Sequence, residues 1–261
     1  MDDCLTVNVQ NLGCSGGLAE GQFTTSFLLD GCTLLDGGTG VGKLSLEQMN
    51  QIETVLLTHA HMDHIAGVAM MLASLSEHRK TPVTLAAPKE VLEAIKTHIL
   101  NWVIWPDFSK IPNEQAPILQ YLELAPMQTE DINGYQVMPI PLAHTVSSYA
   151  YRISRGEKAF CFFGDTGPTE LVWQTLNQHP VSDLFIELSY SKESDELATI
   201  SKHYTSVTLA EDLSKLEGPA KVHIMHLKPG AEDQIMAEFS GSSKSLRHSF
   251  DLCSETETFM I

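Results

Sequence analysis

The sequence predicts an α/β fold of four layers, two β-sheets packed face to face with helices on both outer sides. Three observations lead there. Strand-length apolar runs recur in both halves of the chain, and each half opens with strands and goes on to alternate strands with helices. No Pro/Gly/Ser-rich linker or internal repeat divides the 261 residues, so one domain over 1–261 is expected. Side chains of ligand chemistry fall just beyond the C-terminal ends of several strand-like runs, where layered folds gather their sites.

Taken in order, Leu5–Gln10 and Phe27–Leu35, the latter broken by Asp30-Gly31, read as strands followed by glycine punctuation. Thr54–Thr58 is a short buried strand running into His59-Ala60-His61-Met62-Asp63-His64, and Ile65–Leu75 is apolar and long enough for a helix. Pro82–Ala87 reads as a strand and Lys89–Leu100 as an amphipathic helix. Residues 101–130 hold Trp102, Trp105 and little periodicity, which predicts an insertion or lid. Strands follow at Gln136–Ile140, Ala150–Ser154, Ala159–Phe163, Leu184–Leu188 and Lys221–Met225, with helices near Thr169–Gln178, Val207–Leu216 and Ala231–Phe239. Thr256–Met260 is a last strand, and Ser240–Ser243 reads as a flexible loop.

Charge and cysteine usage narrow the function classes. With 16 Lys+Arg against 33 Asp+Glu the net charge is −17, which disfavours gripping a nucleic-acid polymer or an anionic membrane. Five scattered cysteines without a CxxC pair read as reduced thiols. The N-terminus lacks the basic and apolar stretches of a signal peptide. Both point to the cytoplasm, with the periplasm as the alternative if a leader has been removed.

The HxHxDH run at 59–64 carries the chemistry. A strand, a turn and a helix N-terminus can aim four imidazole and carboxylate ligands at one small volume, and these are ligands that zinc favours. Its chance occurrence is on the order of one in a thousand. One ion does not easily take all four, so His59 and His61 suit one ion and Asp63 and His64 a second. His144, Asp165 and His226 each follow a strand-like run and are candidates for the remaining ligands.

With these motifs the sequence resembles the metallo-β-lactamase superfamily, over nearly its whole length. The resemblance implies an αββα sandwich with two divalent ions, Zn²⁺ first and Mn²⁺ or Fe²⁺ as alternatives. It implies that His59, His61 and His144 hold one ion, that Asp63, His64 and His226 hold the other, and that Asp165 bridges them. Class II cyclic-nucleotide phosphodiesterases are a closer match. The similarity lies in Leu12–Gly17, Leu35–Thr39, Thr58–Gly67, Ser148–Ile153, Phe163–Gly167, Ile186–Ser189, His203-Tyr204-Thr205 and His226–Pro229. Met62 and Tyr204 stand where leucine is usual, and Tyr204 is expected to alter the pocket wall.

The resemblance implies hydrolysis of 3′,5′-cyclic nucleotides (cAMP, cGMP) to 5′-nucleotides by a hydroxide activated at the dinuclear centre. Asp63 would orient the nucleophile, and His203 would protonate the leaving oxygen, with Glu187 free to orient it. His203 and Thr205 are the substrate-contact candidates, and a homodimer is implied. The alternatives are a tRNA 3′-processing nuclease, a cyclic ribose-phosphate hydrolase, a lactonase or thioesterase, and a catalytically dead binding protein. The tRNA reading conflicts with the acidic surface, whereas two divalent ions locally outweigh the site's carboxylates and suit a small phosphodiester. Elsewhere, Trp102–Trp105 could wall a purine pocket or form a lid core or subunit contact. His223 reads as a core histidine, His78, His98, His179 and His248 as surface histidines, Cys161 as a core residue, and Lys244 and Arg247 as a solvated loop.

Overall fold

Both faces of nearly every central strand are apolar, and the layering explains why. The computed structural model describes residues 6–77 and 79–261, so Cys4 and His78 lie outside the described residues. In chain order the strands are β1 (Asn8–Gly13), β2 (Ser26–Leu29), β3 (Thr33–Leu35), β4 (Thr54–Leu56), β5 (Val83–Ala87), β6 (Leu119–Glu123) and β7 (Glu130–Ile132). They continue as β8 (Tyr135–Pro141), β9 (Tyr149–Arg155), β10 (Lys158–Phe162), β11 (Asp183–Glu187), β12 (Lys221–Met225), β13 (Ser249–Leu252) and β14 (Thr258–Met260). The helices are α1 (Leu46–Gln51), α2 (Met62–Leu75), α3 (Lys89–His98), α4 (Leu171–Gln178), α5 (Asp195–Ser201), α6 (Ser206–Leu213) and α7 (Glu232–Ser242).

Two seven-stranded sheets result, in the orders β14-β1-β2-β3-β4-β5-β6 and β13-β12-β11-β10-β9-β8-β7. In each, the pairing is antiparallel at one end and parallel at the other, the change falling at β3 in the first sheet and at β10 in the second. Period-two alternation then sorts the side chains. Phe27, Leu29, Leu56, Phe160, Phe162 and Phe185 point between the sheets, while Leu28, Val55, Cys161, Leu184 and Ile186 point outward under helices. Ile65, Val68 and Leu72 of α2 and Val91 and Ile95 of α3 cover the first sheet; Trp173 of α4, Leu209 of α6 and Phe239 of α7 cover the second. Each fully buried aromatic or aliphatic side chain contributes roughly 1.5–3 kcal/mol of transfer free energy.

The expected α/β four-layer sandwich is the observed one, and most predicted elements fall within a few residues of their places. Three local expectations need correction. The stretch 101–130 is not irregular throughout, because it contains the edge strand β6 and begins β7. The run Ser240-Gly241-Ser242 is the last turn of α7 and not a flexible loop. His248 is buried: its Nδ1 accepts from the Ala220 amide at 3.3 Å and its Nε2 donates to the Leu213 carbonyl at 3.1 Å. Cys14, Cys32, Cys161 and Cys253 are unpaired thiols. Among the described residues no helix is long and apolar enough to cross a membrane.

Candidate metal centre

The strand ends build the site. β4 leads into His59 and His61, and α2 begins at Met62, which puts Asp63 in the first helical turn, where a carboxylate complements the helix dipole. The glycine pair after β3 makes this turn fit. A Cβ on Gly38 would stand 2.1 Å from the Asp63 carbonyl oxygen, and the Gly37 amide donates to the His64 carbonyl at 2.7 Å. His144 follows β8, Asp165 follows β10, and His226 follows β12. All seven sequence-predicted residues meet at the same sheet edges, in two groups that share Asp165: His59, His61, His144 with Asp165, and Asp63, His64, His226 with Asp165. Within each group the ligand atoms lie within 4.8 Å of one another.

Whether these side chains suit a metal is decided by their second nitrogens. His59 Nδ1 donates to the Thr58 hydroxyl at 3.0 Å, His64 Nδ1 to Asp36 Oδ2 at 2.6 Å, and His144 Nδ1 to the Lys202 carbonyl at 2.9 Å. His226 Nδ1 lies 3.1 Å from the Ser189 hydroxyl. In each ring one nitrogen is spent on the protein, which leaves the other as a lone pair facing its neighbours, the arrangement by which histidines ligate. His59 Nε2 is fully buried without a hydrogen-bond partner and lies 3.5 Å from Asp165 Oδ2. An orphaned imidazole nitrogen beside a carboxylate is costly in a bare protein and natural at a cation site. The donor set fits a pair of divalent ions.

Electrostatics favour the ligating form at His61 and His144, while at His64 the two neighbouring carboxylates favour the protonated ring, whose Nε2 proton an incoming ion displaces. Burial, reinforced by the neighbouring His59, pushes His61 down to about 4, and burial likewise lowers His144 to about 4, so both rings are neutral and ligand-ready at pH 7. Burial works against ionising Asp63 and Asp165, yet the surrounding histidines hold both carboxyls well below the usual range. Burial also opposes charge on His64, but Asp165 and Asp36 overcome it and raise the group well above its ordinary value.

Asp36 and Glu187 are fully buried carboxylates behind the ligands. Asp36 accepts from the Thr58 amide at 2.8 Å and the Thr58 hydroxyl at 2.7 Å as well as from His64. Glu187 Oε1 accepts from His203 Nδ1 at 2.7 Å and from the Thr166 amide at 2.8 Å. Glu187 thus touches His203, as the sequence allowed. Asp36 was given no role on sequence grounds; its place two residues before Gly38, at the end of β3, was the available signal.

The sequence profile described as "Beta-lactamase superfamily domain" matches residues 34–248. The chain belongs to this superfamily. Its fold is that of the metallo-β-lactamases. The chain is 26% identical to a probable 3′,5′-cyclic-nucleotide phosphodiesterase of Yersinia pestis over 68% of this chain and 57% of that protein. It is 25% identical to a 3′,5′-cyclic-nucleotide phosphodiesterase of Aliivibrio fischeri over 79% of this chain and 74% of that one. A ribonuclease Z of Lachnospira eligens is 32% identical over 59% of this chain and 48% of its own length. The match to the Yersinia protein therefore spans little more than half of it. Among solved structures, unliganded yeast PDE1 superposes with a TM-score of 0.84 at 17% identity, covering 98% of this chain and 99% of that one.

Within this metallo-β-lactamase fold the remaining candidates take definite places. Thr205 lines a cavity of about 280 Å³ together with His203, Lys202 and Asp195. Its hydroxyl, however, caps α6 by accepting from the Thr208 amide. Tyr204 does not alter the pocket wall. It is wholly buried in the core under the second sheet, and its hydroxyl donates to Asp212 at 2.7 Å. Trp102 and Trp105 follow α3, which carries the chain away from the ligand end, and the Trp105 indole donates to the Ala69 carbonyl in mid-α2. Arg247 donates to the Glu217 carbonyl ahead of β12, at the end opposite His226. His223 is a core residue, bonded to Asp183 at 2.8 Å and stacked on Phe185.

Proposed function

We propose that the protein hydrolyses 3′,5′-cyclic nucleotides, cAMP or cGMP, to 5′-nucleotides. The observation that carries the reading is the Glu187–His203 pair set against the two ligand groups. Two divalent ions, Zn²⁺ by the chemistry of the donors, supply when bound the Lewis acidity that makes hydroxide available near neutral pH and offset phosphoryl charge. His59, His61 and His144 would hold one ion and Asp63, His64 and His226 the other, with Asp165 common to both groups.

The chain's own residues do the rest. Asp63 is the most exposed of the carboxylates at the site, with 31% of its side chain open, and its Oδ2 lies 3.3 Å from His226 Nε2. The other oxygen, Oδ1, accepts a hydrogen bond from the attacking nucleophile and so orients it. His203 Nδ1 is committed to Glu187. Burial lowers the tendency of this imidazole to carry charge, but Glu187 outweighs burial and raises it above its ordinary value. The ring therefore donates from Nε2 to the departing 3′-oxygen, with Glu187 stabilising the imidazolium. Such acid catalysis contributes roughly 10²–10⁴-fold.

A charge of −17 supports a small phosphodiester over tRNA, since a polyanion would have to approach an acidic surface. The similarity to ribonuclease Z keeps precursor tRNA as the comparison substrate. The test is a product assay on cAMP, cGMP, a 2′,3′-cyclic nucleotide, precursor tRNA and a lactone, run on the wild type and on His203→Ala. Turnover of the 3′,5′-cyclic nucleotides, lost about 10²–10⁴-fold in the variant with both ions retained, is the expected result. Turnover of the lactone alone, or of tRNA alone, refutes the substrate; unchanged turnover in His203→Ala removes that residue from the reaction.

A further inference from the structure

We propose that Ser189 is a positioning residue for metal capture: its hydroxyl, anchored by Glu187, sets the tautomer and orientation of His226. This rests on His226 being a ligand of the second ion. Ser189 is completely buried. Its Oγ lies 2.7 Å from Glu187 Oε2, 3.1 Å from His226 Nδ1, 3.2 Å from His203 Nδ1 and 3.2 Å from the His226 carbonyl oxygen. A serine hydroxyl has one proton to give and two lone pairs to offer. The proton goes to Glu187, the nearest acceptor and a charged one. The His203 Nδ1 proton is spent on Glu187 Oε1 at 2.7 Å. What remains for the serine oxygen is the Nδ1 proton of His226.

That assignment has a consequence at the opposite side of the ring. With the proton on Nδ1, His226 Nε2 is a bare lone pair, 3.3 Å from Asp63 Oδ2 and 3.3 Å from His64 Nε2. The surroundings hold the ring in place. The His226 backbone is left-handed, at φ 65°, and its amide donates to the Cys14 carbonyl at 2.6 Å. Gly16 packs against the same ring edge as Ser189, where a Cβ would stand 2.9 Å from Nδ1 and 2.4 Å from the His226 carbonyl oxygen. The first sheet repeats the device. Asp36 binds His64 directly and His59 through the Thr58 hydroxyl, as Glu187 binds His203 directly and His226 through Ser189. One buried carboxylate thereby orients both a ligand of the second ion and the neighbouring acid.

Removing the hydroxyl strands the Nδ1 proton. The proton is then better placed on Nε2, bonded to Asp63, where it occupies the lone pair that an ion needs. The experiment is calorimetric titration of metal-free wild type and Ser189→Ala with Zn²⁺, alongside thermal melting of both metal-free proteins. The expected result is one site unchanged and the second weakened about 10- to 100-fold, with the metal-free Tm lowered only by the few degrees that one lost buried hydrogen bond costs. Two sites of wild-type affinity in Ser189→Ala overturn this proposal alone. Loss of both sites together with a larger drop in the metal-free Tm marks a packing role and also overturns it. A wild-type chain that takes up fewer than two ions overturns the metal-centre reading, and this proposal with it.

Discussion

Replacing Asp36 by asparagine keeps the side chain's shape, removes its charge and turns one acceptor oxygen into an NH₂ donor. The backbone there is left-handed, at φ 54°, which asparagine tolerates as aspartate does. The amide oxygen of the new side chain can still accept from the Thr58 amide. The other position, where Asp36 Oδ2 accepts from Thr58 Oγ1 at 2.7 Å and His64 Nδ1 at 2.6 Å, becomes an NH₂ donor facing two donors. The threonine hydroxyl can rotate. His64 can escape only by moving its proton to Nε2, the atom 3.3 Å from Asp165 Oδ1 that faces the second ion. Metal binding must then reverse the tautomer and leave a buried N–H without an acceptor, at a cost of about 1–3 kcal/mol. At about 1.4 kcal/mol per factor of ten, that is a loss of roughly 5- to 150-fold in affinity. It agrees with the about 10- to 100-fold typical when the outer partner of a histidine ligand is removed. The assay is competition for Zn²⁺ against a chromophoric chelator, with far-UV circular dichroism to verify the fold. An Asp36→Asn protein that is folded and binds two ions with wild-type affinity refutes the idea that Asp36 dictates the His64 tautomer.

Two further outcomes follow from the same structure. Divalent metal should stabilise the protein and a chelator should reverse it. At a free concentration 100 times Kd the gain is about 2.7 kcal/mol, or about 5–10 °C in Tm for a chain of this size, and a Tm indifferent to added metal contradicts two bound ions. At the other end of the sandwich, Asp30 accepts from the Tyr135 hydroxyl and from Arg155 at 2.8 Å, joining the β2–β3 turn to β8 and β9. Burial opposes ionisation of Asp30, but Tyr135, the Asn8 amide and Arg155 hold its carboxyl below the usual range. Because the folded value lies below the unfolded one, this stabilisation is complete above the ordinary aspartate pKa of about 3.9 and disappears as pH falls through the folded value. Asp30→Asn should cost about 1 kcal/mol near pH 7 and progressively less below about pH 4, measured by urea denaturation. A penalty that grows in acid contradicts the assignment.

Much of the fold was legible because it is written locally. Phe160, Phe162, Leu184 and Ile186 lie in apolar runs too short for helices and without polar alternation, as strands buried on both faces must. The missed elements are those that lack this signature. β6 and β13 are largely exposed edge strands, and α5 buries only Ala198. His248 and Tyr204 were misplaced for a related reason. Their burial depends on which helix packs over them, and one residue type fits a core and a surface equally well.

The sequence by itself determined the layered class and nominated the quartet at 59–64 as candidate ligands, since a strand, a turn and a first helical turn dictate which way consecutive side chains point. It also nominated His144, Asp165 and His226, by their positions after strands and by resemblance. Only the tertiary structure decided which nitrogen of each imidazole is free. Those bonds join Asp36 to His64 and Glu187 to His203 and Ser189. A ring's tautomer depends on an acceptor that strand register and burial bring within 3 Å, and short-range spacing along a chain carries no information about that.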